Sequence, residues 1–237
     1  FLAVSYSSPD MLGHDMGPQS VEIEDMYIRL DKNLEDLMKT LDGKVGAGNY
    51  TLFLTADHAV AENAQHLRDN RIPAGYFNYE NAKANLVDYL KQYFAGRQII
   101  EEINYDQIYF NHDQFRNDPR VSGIDMLIGA ELISNYLMEV EGVANVYSQS
   151  VIRQGRYDEA GIKGMVIRGY HPKRSGDLVI VLEPGWYAYG KIQGSTHGSP
   201  YTYDTHVPVL FYGKGIKPGS SVVYHPVTDI APTLAVL

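Results

Sequence analysis

The sequence predicts an α/β fold, in which a core with a central, mostly parallel sheet is formed by residues 1–71 and 187–237 and carries an inserted α+β subdomain, residues 72–186. Three observations support this prediction. A strand, a helix and a second strand follow one another near the start, as in the βαβ unit of a parallel sheet. Metal-type ligands follow both strands, at the sheet edge where sites of such folds lie. The middle of the chain alternates short strands and helices without candidate ligands, whereas the end again combines a buried strand with a loop that carries a candidate ligand.

The first core segment is predicted to begin on a buried strand. Residues 1–6 are apolar and β-prone, and we expect a strand already in progress there, so that the chain begins inside a larger protein. Residues 7–14 are predicted to form the loop after it, because Pro and Gly interrupt the pattern. From Ser20 to Leu41 apolar residues recur at helical spacing, with Ser20 as the N-cap. The next strand is predicted at 50–55.

The middle of the chain alternates short strands and helices without a catalytic motif. A ferredoxin-like arrangement is one candidate for this insertion. Helices are predicted at 81–94, 124–140 and 158–168, and strands at 98–103, 107–110, 143–150 and 177–182. The last core segment is predicted to contain a polar loop at 194–204, a buried strand at 207–212 and a helix that begins at Thr228.

The composition narrows the classes of function. The chain has 20 Lys and Arg against 29 Asp and Glu, a net charge of −9, and no basic cluster, so binding of a nucleic-acid polymer is not expected. Apolar runs fall short of the roughly 20 residues that span a bilayer, so no membrane span is expected. Cysteine is absent. A metal site must therefore use His, Asp and Glu, which are the ligands of catalytic rather than structural zinc.

Three short pieces carry candidate metal ligands: Asp10 and His14, the adjacent pair Asp57 and His58, and His197. A carboxylate at the end of a buried strand is costly unless a cation compensates it. Two carboxylates and three imidazoles exceed what one catalytic zinc takes from protein, which favours two metals. Each piece alone has an ordinary alternative. Asp10 suits a turn or helix cap, the pair Asp57 and His58 suits a capped helix start with a surface imidazole, and His197 suits a loop.

Together, these pieces resemble the metal-ligand motifs of the alkaline phosphatase superfamily, which includes type I phosphodiesterases and nucleotide pyrophosphatases. Further stretches resemble the phosphate-irrepressible (PafA-type) alkaline phosphatases, and the resemblance extends over nearly the whole chain. The stretches are Ile72-Pro73-Ala74-Gly75, Pro172-Lys173-Arg174-Ser175-Gly176-Asp177, Pro184-Gly185-Trp186, Thr196-His197-Gly198-Ser199-Pro200-Tyr201 and Thr228-Asp229-Ile230-Ala231-Pro232-Thr233.

The resemblance implies an alkaline-phosphatase-like sandwich and a periplasmic or secreted hydrolase of small phosphate monoesters. It implies that Asp10, His14 and His197 hold one zinc, or another divalent ion, and that Asp57 and His58 hold a second. A Thr or Ser nucleophile, which forms a phosphoenzyme, would lie in an amino-terminal half that precedes this chain. No catalytic nucleophile is therefore assigned here, and we expect the chain alone to be inactive or weakly active.

Other expectations concern the surroundings of the site. Asp204 and His206 follow the His197 loop and are candidates to orient a metal-bound imidazole, with a structural role as the alternative for His206. An exposed sheet edge would allow self-association. Two other functions stay open: a phosphodiesterase or nucleotide pyrophosphatase of the same superfamily, and a non-catalytic metal-binding module.

Overall fold

The computed structural model describes residues 1–116, 123–188 and 194–237. Part of the predicted segment 187–237, namely residues 189–193, lies outside this description. The helices are α1 (Ser8–Met16), α2 (Val21–Val45), α3 (Ala64–Asp69), α4 (Tyr79–Lys91), α5 (His112–Arg116), α6 (Gly123–Met138), α7 (Gln149–Gln154), α8 (Gly161–Gly169), α9 (Thr202–Thr205) and α10 (Ile230–Val236), which a 3-10 turn (Val227–Asp229) precedes. The strands are β1 (Thr51–Thr55), β2 (Gly75–Phe77), β3 (Ile100–Asn104), β4 (Gln107–Phe110), β5 (Val143–Ser148), β6 (Leu178–Leu182), β7 (Trp186–Ala188) and β8 (Val209–Gly213).

The α/β class is confirmed, and most predicted elements form close to their expected positions. The helix predicted from Ser20 is α2, and the Ser20 hydroxyl accepts a hydrogen bond from the Ile23 N–H at 3.3 Å, as an N-cap should. The prediction of this helix rests on apolar residues that recur with a 3.6-residue period, which is the primary signal of secondary structure in a sequence. Its end at Gly46 (φ 95°) uses the left-handed conformation that glycine adopts without strain.

The beginning of the chain differs from the prediction. Residues 1–6 form no strand, and their side chains are exposed, because no described strand lies beside them to pair with. The predicted loop at 7–14 is instead the helix α1. Pro9 lies in its first turn, where the missing N–H costs nothing, and Asp10 and His14 lie at the ends that the helix dipole favours for an acid and a base.

Two small sheets bring the halves of the chain together. β1 pairs with β8 antiparallel, from Thr51 opposite Gly213 to Thr55 opposite Val209. The parallel pairing predicted between residues 1–6 and 50–55 does not form, since residues 1–6 are not a strand and the neighbour of β1 among the described residues is β8, which runs in the opposite direction. The parallel pair is β2 with β7, where Gly75 lies opposite Trp186. It joins the two ends of the proposed insertion.

A four-stranded sheet with antiparallel pairs lies within the proposed insertion, in the order β3-β4-β6-β5. The ferredoxin-like unit places its first strand between the third and fourth strands of its chain. In this sheet the corresponding central position, between β4 and β5, is taken by β6, which is the last of the four strands in sequence. The order is therefore that of a ferredoxin-like sheet whose first strand has been moved to the end of the chain, a circular permutation. The boundaries 72 and 186 of the subdomain stay a prediction.

The largest hydrophobic core lies between this sheet and the helices α4 and α6. Its fully buried members are aliphatic side chains from all three, each worth about 1.5–3 kcal/mol in burial. They include Leu86, Leu90, Ile108, Ile133, Leu137, Leu178 and Ile180. A small second cluster of Ala61, Ala64, Ala74 and Tyr187 lies beside the β2–β7 pair. Among the residues with described positions, the helices include none with the length and apolar character of a membrane span.

Asp106 provides a test of the turn between β3 and β4. Burial raises the pKa of its carboxyl. The folded chain therefore keeps this proton while the unfolded chain loses it, so stability falls as pH rises from the unfolded pKa through the raised folded pKa, and the loss persists above that window. We expect Asp106→Asn to gain stability over the wild type across this window and to hold the gain at neutral pH. Urea unfolding over a pH series measures the difference. Asp31→Asn, an exposed position on α2, is the control, and an equal gain there would contradict the assignment.

Candidate metal centre

α1 carries the first two candidate ligands. Asp10 and His14 are four residues apart, so both side chains lie on one face of the helix, with 3.4 Å between Asp10 Oδ1 and His14 Nε2. Gly13, the buried residue of α1, packs beside Ile23 of α2. The first pair is therefore held by a helix that packs against a longer one.

His58 and Asp57 follow the end of β1, and only the imidazole turns inward. His58 Nε2 lies 3.8 Å from Asp10 Oδ1 and 3.8 Å from Asp57 Oδ2. The His58 side chain is 27% exposed, whereas that of Asp57 is 91% exposed. Asp57 thus faces solvent, and its carboxylate is not the costly buried group that the sequence led us to expect.

The His197 loop runs directly against α1 and the segment after β1. At Gly194 any Cβ would collide with the carbonyl of His14, so this close approach requires glycine. The Ser195 hydroxyl donates to the carbonyl of Ala61, and the Ala61 N–H donates to the carbonyl of Thr196 at 3.1 Å. These contacts bring His197 beside the other two imidazoles.

The candidate ligands converge on one carboxylate oxygen. His197 Nε2 lies 3.7 Å from Asp10 Oδ1, close to the 3.4 Å and 3.8 Å of the other two histidines. Ligand atoms on a tetrahedral zinc with bonds of about 2.0–2.2 Å stand about 3.3–3.6 Å apart. Within the described residues, one set of three offers ligand atoms within 4.8 Å of one another: Asp10, His14 and His197. His58 stacks on His197, with 3.4 Å between ring centroids and 10° between planes.

Two of the imidazoles have their tautomer set by a carbonyl group. His14 Nδ1 lies 3.0 Å from the carbonyl oxygen of Ser195, and His58 Nδ1 lies 2.9 Å from that of Ala59. A carbonyl oxygen only accepts, so each Nδ1 must carry the proton and donate. In the neutral imidazole Nε2 then carries the lone pair and faces Asp10, which is the arrangement of a metal-binding histidine.

The surroundings favour the neutral form of His197. Burial lowers the pKa of its imidazole, and the neighbouring His58 and His14 lower the pKa further, whereas Asp10 and Asp204 raise it. A lowered pKa keeps the imidazole unprotonated, and only an unprotonated nitrogen can bind a cation. The residues present therefore fit a divalent metal ion in both geometry and protonation.

Asp204 and His206, the two candidates to orient a metal-bound imidazole, differ in burial. Asp204 is buried, with 3% of its surface exposed, and its Oδ2 accepts from the Ser199 N–H at 2.7 Å. His206 is exposed and ends α9 through its backbone N–H. Sequence reasoning missed Gly194, Ser195 and their contacts with the segment after β1. A Gly before a Ser-Thr-His motif was visible in the sequence, but only the packing shows that glycine is needed there.

Comparisons with known proteins identify the family and the fold that carry this candidate centre. The family model of type I phosphodiesterase / nucleotide pyrophosphatase matches residues 1–206. The chain is 38% identical over 237 residues to a protein named calcium-transporting ATPase from Myroides odoratus, and 38% identical to alkaline phosphatase PafA of Elizabethkingia meningoseptica. It also resembles the crystal structure of wild-type alkaline phosphatase PafA, with a TM-score of 0.86 and 37% identity over 97% of the chain. The chain spans 42% of the length of each of these relatives.

Proposed function

The chain belongs to the type I phosphodiesterase / nucleotide pyrophosphatase family, and we propose from this premise that it forms the metal-binding part of an alkaline-phosphatase-type hydrolase of phosphate monoesters. The observation that carries the proposal is the convergence of three imidazole Nε2 atoms on Asp10 Oδ1, at 3.4, 3.7 and 3.8 Å. Its relatives include alkaline phosphatases, and the family match over residues 1–206 includes every candidate metal ligand.

The proposed ligands divide into two groups. Asp10, His14 and His197 hold one zinc, since an Asp and two His leave a fourth position open, as in catalytic zinc sites. Asp57 and His58 contribute to a second, with further ligands from elsewhere in the complete protein. Zinc is favoured over magnesium or calcium because imidazole nitrogens make up most of the set.

The residues of this chain also shape access to the centre. Asp10 and Asp57 contribute two negative charges, which two divalent ions would outweigh, so an anionic phosphate ester is attracted. Asp10 and the imidazoles keep between 27% and 44% of their side-chain surface exposed, which leaves room for a small substrate. When bound, the metal ions lower the pKa of a hydroxyl nucleophile and neutralise charge on the transferred phosphoryl group.

Hydrolysis of p-nitrophenyl phosphate tests this function. We expect the longest natural polypeptide that carries this sequence to prefer this monoester over bis-p-nitrophenyl phosphate, and to lose the activity on chelation and regain it with zinc. We expect little turnover by the 237-residue chain alone, because no nucleophile is assigned within it. Robust turnover by the chain alone would contradict that assignment.

The alternative is a phosphodiesterase or nucleotide pyrophosphatase, which the description of the matching family favours. The same assay separates the two, since a preference for the diester supports the alternative. A non-catalytic metal-binding module would bind zinc and hydrolyse neither ester.

We further propose a periplasmic or secreted location and self-association through the small β1–β8 sheet. Each of these strands has one neighbour in the described part of the chain, and Leu210 and Tyr212 on β8 are 57% and 49% exposed. An unpaired edge with exposed apolar side chains is a surface on which another strand can add. The molecular mass in solution tests this association.

A further inference from the structure

One carboxylate oxygen beside the candidate metal centre is buried without a partner. Asp204 is 3% exposed, and its Oδ2 accepts from the Ser199 N–H at 2.7 Å. Its Oδ1 has no hydrogen bond in the described part of the chain. An unpaired buried carboxylate oxygen loses its hydration without compensation, so its persistence calls for a partner in another state of the site.

Asp204 is hydrogen-bonded to the two loops that carry His58 and His197. Its carbonyl oxygen accepts from the Ala59 N–H at 2.8 Å, directly after His58. Its side chain holds Ser199, two residues after His197. The residue is therefore fixed by its main chain on one loop and by one side-chain oxygen on the other, with the second oxygen left over.

The Nδ1 atom of His197 is the potential donor for this oxygen. His14 and His58 each donate through Nδ1 to a carbonyl group, while their Nε2 atoms face Asp10. His197 also directs Nε2 at Asp10, at 3.7 Å, but its Nδ1 makes no hydrogen bond among the described residues. Among the described residues, the centre thus contains one unmatched imidazole nitrogen, on the His197 loop, and one unmatched carboxylate oxygen, seven residues later in α9. The charge of Asp204 reaches His197, since it raises the pKa of that imidazole.

We propose that Asp204 is the positioning residue of His197: with a divalent cation in the centre, the Nδ1–H of His197 donates to Oδ1 of Asp204. This inference rests on the proposed metal centre. The bond would give all three histidines the same tautomer, and a carboxylate partner makes Nε2 a stronger ligand than a carbonyl does. Asp204 would act through His197 and would not bind the cation itself.

Zinc affinity, measured by competition with a chromophoric chelator, tests the role of Asp204 without an activity assay. Asp204→Asn keeps an acceptor for Ser199 but loses the carboxylate charge that holds His197. We expect zinc affinity to fall by about 10- to 100-fold, the usual cost of losing such a partner.

Asp177→Asn is the matched control. Asp177 is also a buried carboxylate, 8% exposed, that accepts from a backbone N–H and contacts a histidine, His112 at 2.9 Å, but it lies in the proposed insertion. We expect zinc affinity to change less than twofold there. A comparable loss in both variants would show that Asp204 acts only through stability, and would overturn the inference.

A second measurement uses the wild-type chain. Long-range 1H–15N NMR spectra with zinc should show His197 protonated on Nδ1 with a slowly exchanging proton, and a wild-type His197 protonated on Nε2 overturns the inference even if Asp204→Asn fails to fold. Zinc bound equally by Asp204→Asn and wild type also overturns it and leaves the metal centre standing. A wild-type chain that takes up no zinc refutes the proposed centre, and this inference with it.

Discussion

Replacing His14 with alanine is expected to lower zinc affinity by more than the roughly 10- to 100-fold that loss of an outer partner costs. The substitution removes one of three direct ligands from the set Asp10, His14 and His197, and zinc held by two protein ligands dissociates readily. His197→Ala should have the same effect for the same reason. Bound zinc per chain after dialysis against a chelator, together with competition titration, measures both.

His225→Ala is a close control for this substitution. His225 and Asp229 repeat the spacing of His14 and Asp10, four residues apart, with 3.6 Å between His225 Nδ1 and Asp229 Oδ2. The pair is exposed at the far end of the chain and lacks the other imidazoles. Zinc affinity should stay unchanged in this variant. If His14→Ala retains full occupancy, or if both variants lose it equally, the assignment of the first zinc is wrong.

Replacing Gly142 with alanine is expected to cause the largest loss of stability among the predictions made for this chain. Gly142 has φ 89°, and a Cβ there would overlap the indole ring of Trp186, which also covers Gly75. The backbone strain costs about 1–2 kcal/mol, and the displaced indole adds about 1–3 kcal/mol of overpacking. Trp186 is the single tryptophan, so the emission of the folded protein should shift with the ring.

Gly96→Ala separates the two contributions. Gly96 has φ 77°, but a Cβ there would meet nothing within 4 Å. This variant should therefore lose only the stability that the backbone strain costs, and its tryptophan emission should stay unchanged. The free energy of unfolding in urea, followed by that emission, compares the pair. Equal losses in both variants would show that the indole is free to move aside, contrary to the expectation.

Long elements with a clear periodic pattern of apolar residues can be predicted from sequence, whereas pairings between distant segments cannot. The helix from Ser20 was found because cap and apolar stripe agree. The strand predicted at 1–6 failed because an apolar run indicates a strand only where a neighbour exists to pair with it. The three-residue strands β2 and β7 were missed, since they are too short for a periodic pattern and form through a partner more than a hundred residues away.

The candidate site shows the same division. Asp10, His14 and His197 were nominated because ligand types recur in familiar contexts, and the structure brings them together. The close approach at Gly194 and the unpaired oxygen of Asp204 could not be predicted, because each depends on atoms from segments far apart in sequence. Sequence identifies residue types that can bind a metal, and packing decides which of them meet.

The place of β6 in the four-stranded sheet has a consequence for synthesis on the ribosome. β6 lies between β4 and β5, yet it is the last of the four strands to leave the ribosome. Until then the β3–β4 hairpin and β5 have no strand in common, and each presents an open edge to neighbouring nascent chains. A pause in translation after β6 has been decoded, while it is still inside the ribosomal exit tunnel, would prolong that exposure, while release of β6 closes both edges in one step. The codons downstream of β6, which are decoded while β6 passes through the tunnel, are therefore where the speed of translation should most affect the yield of folded protein.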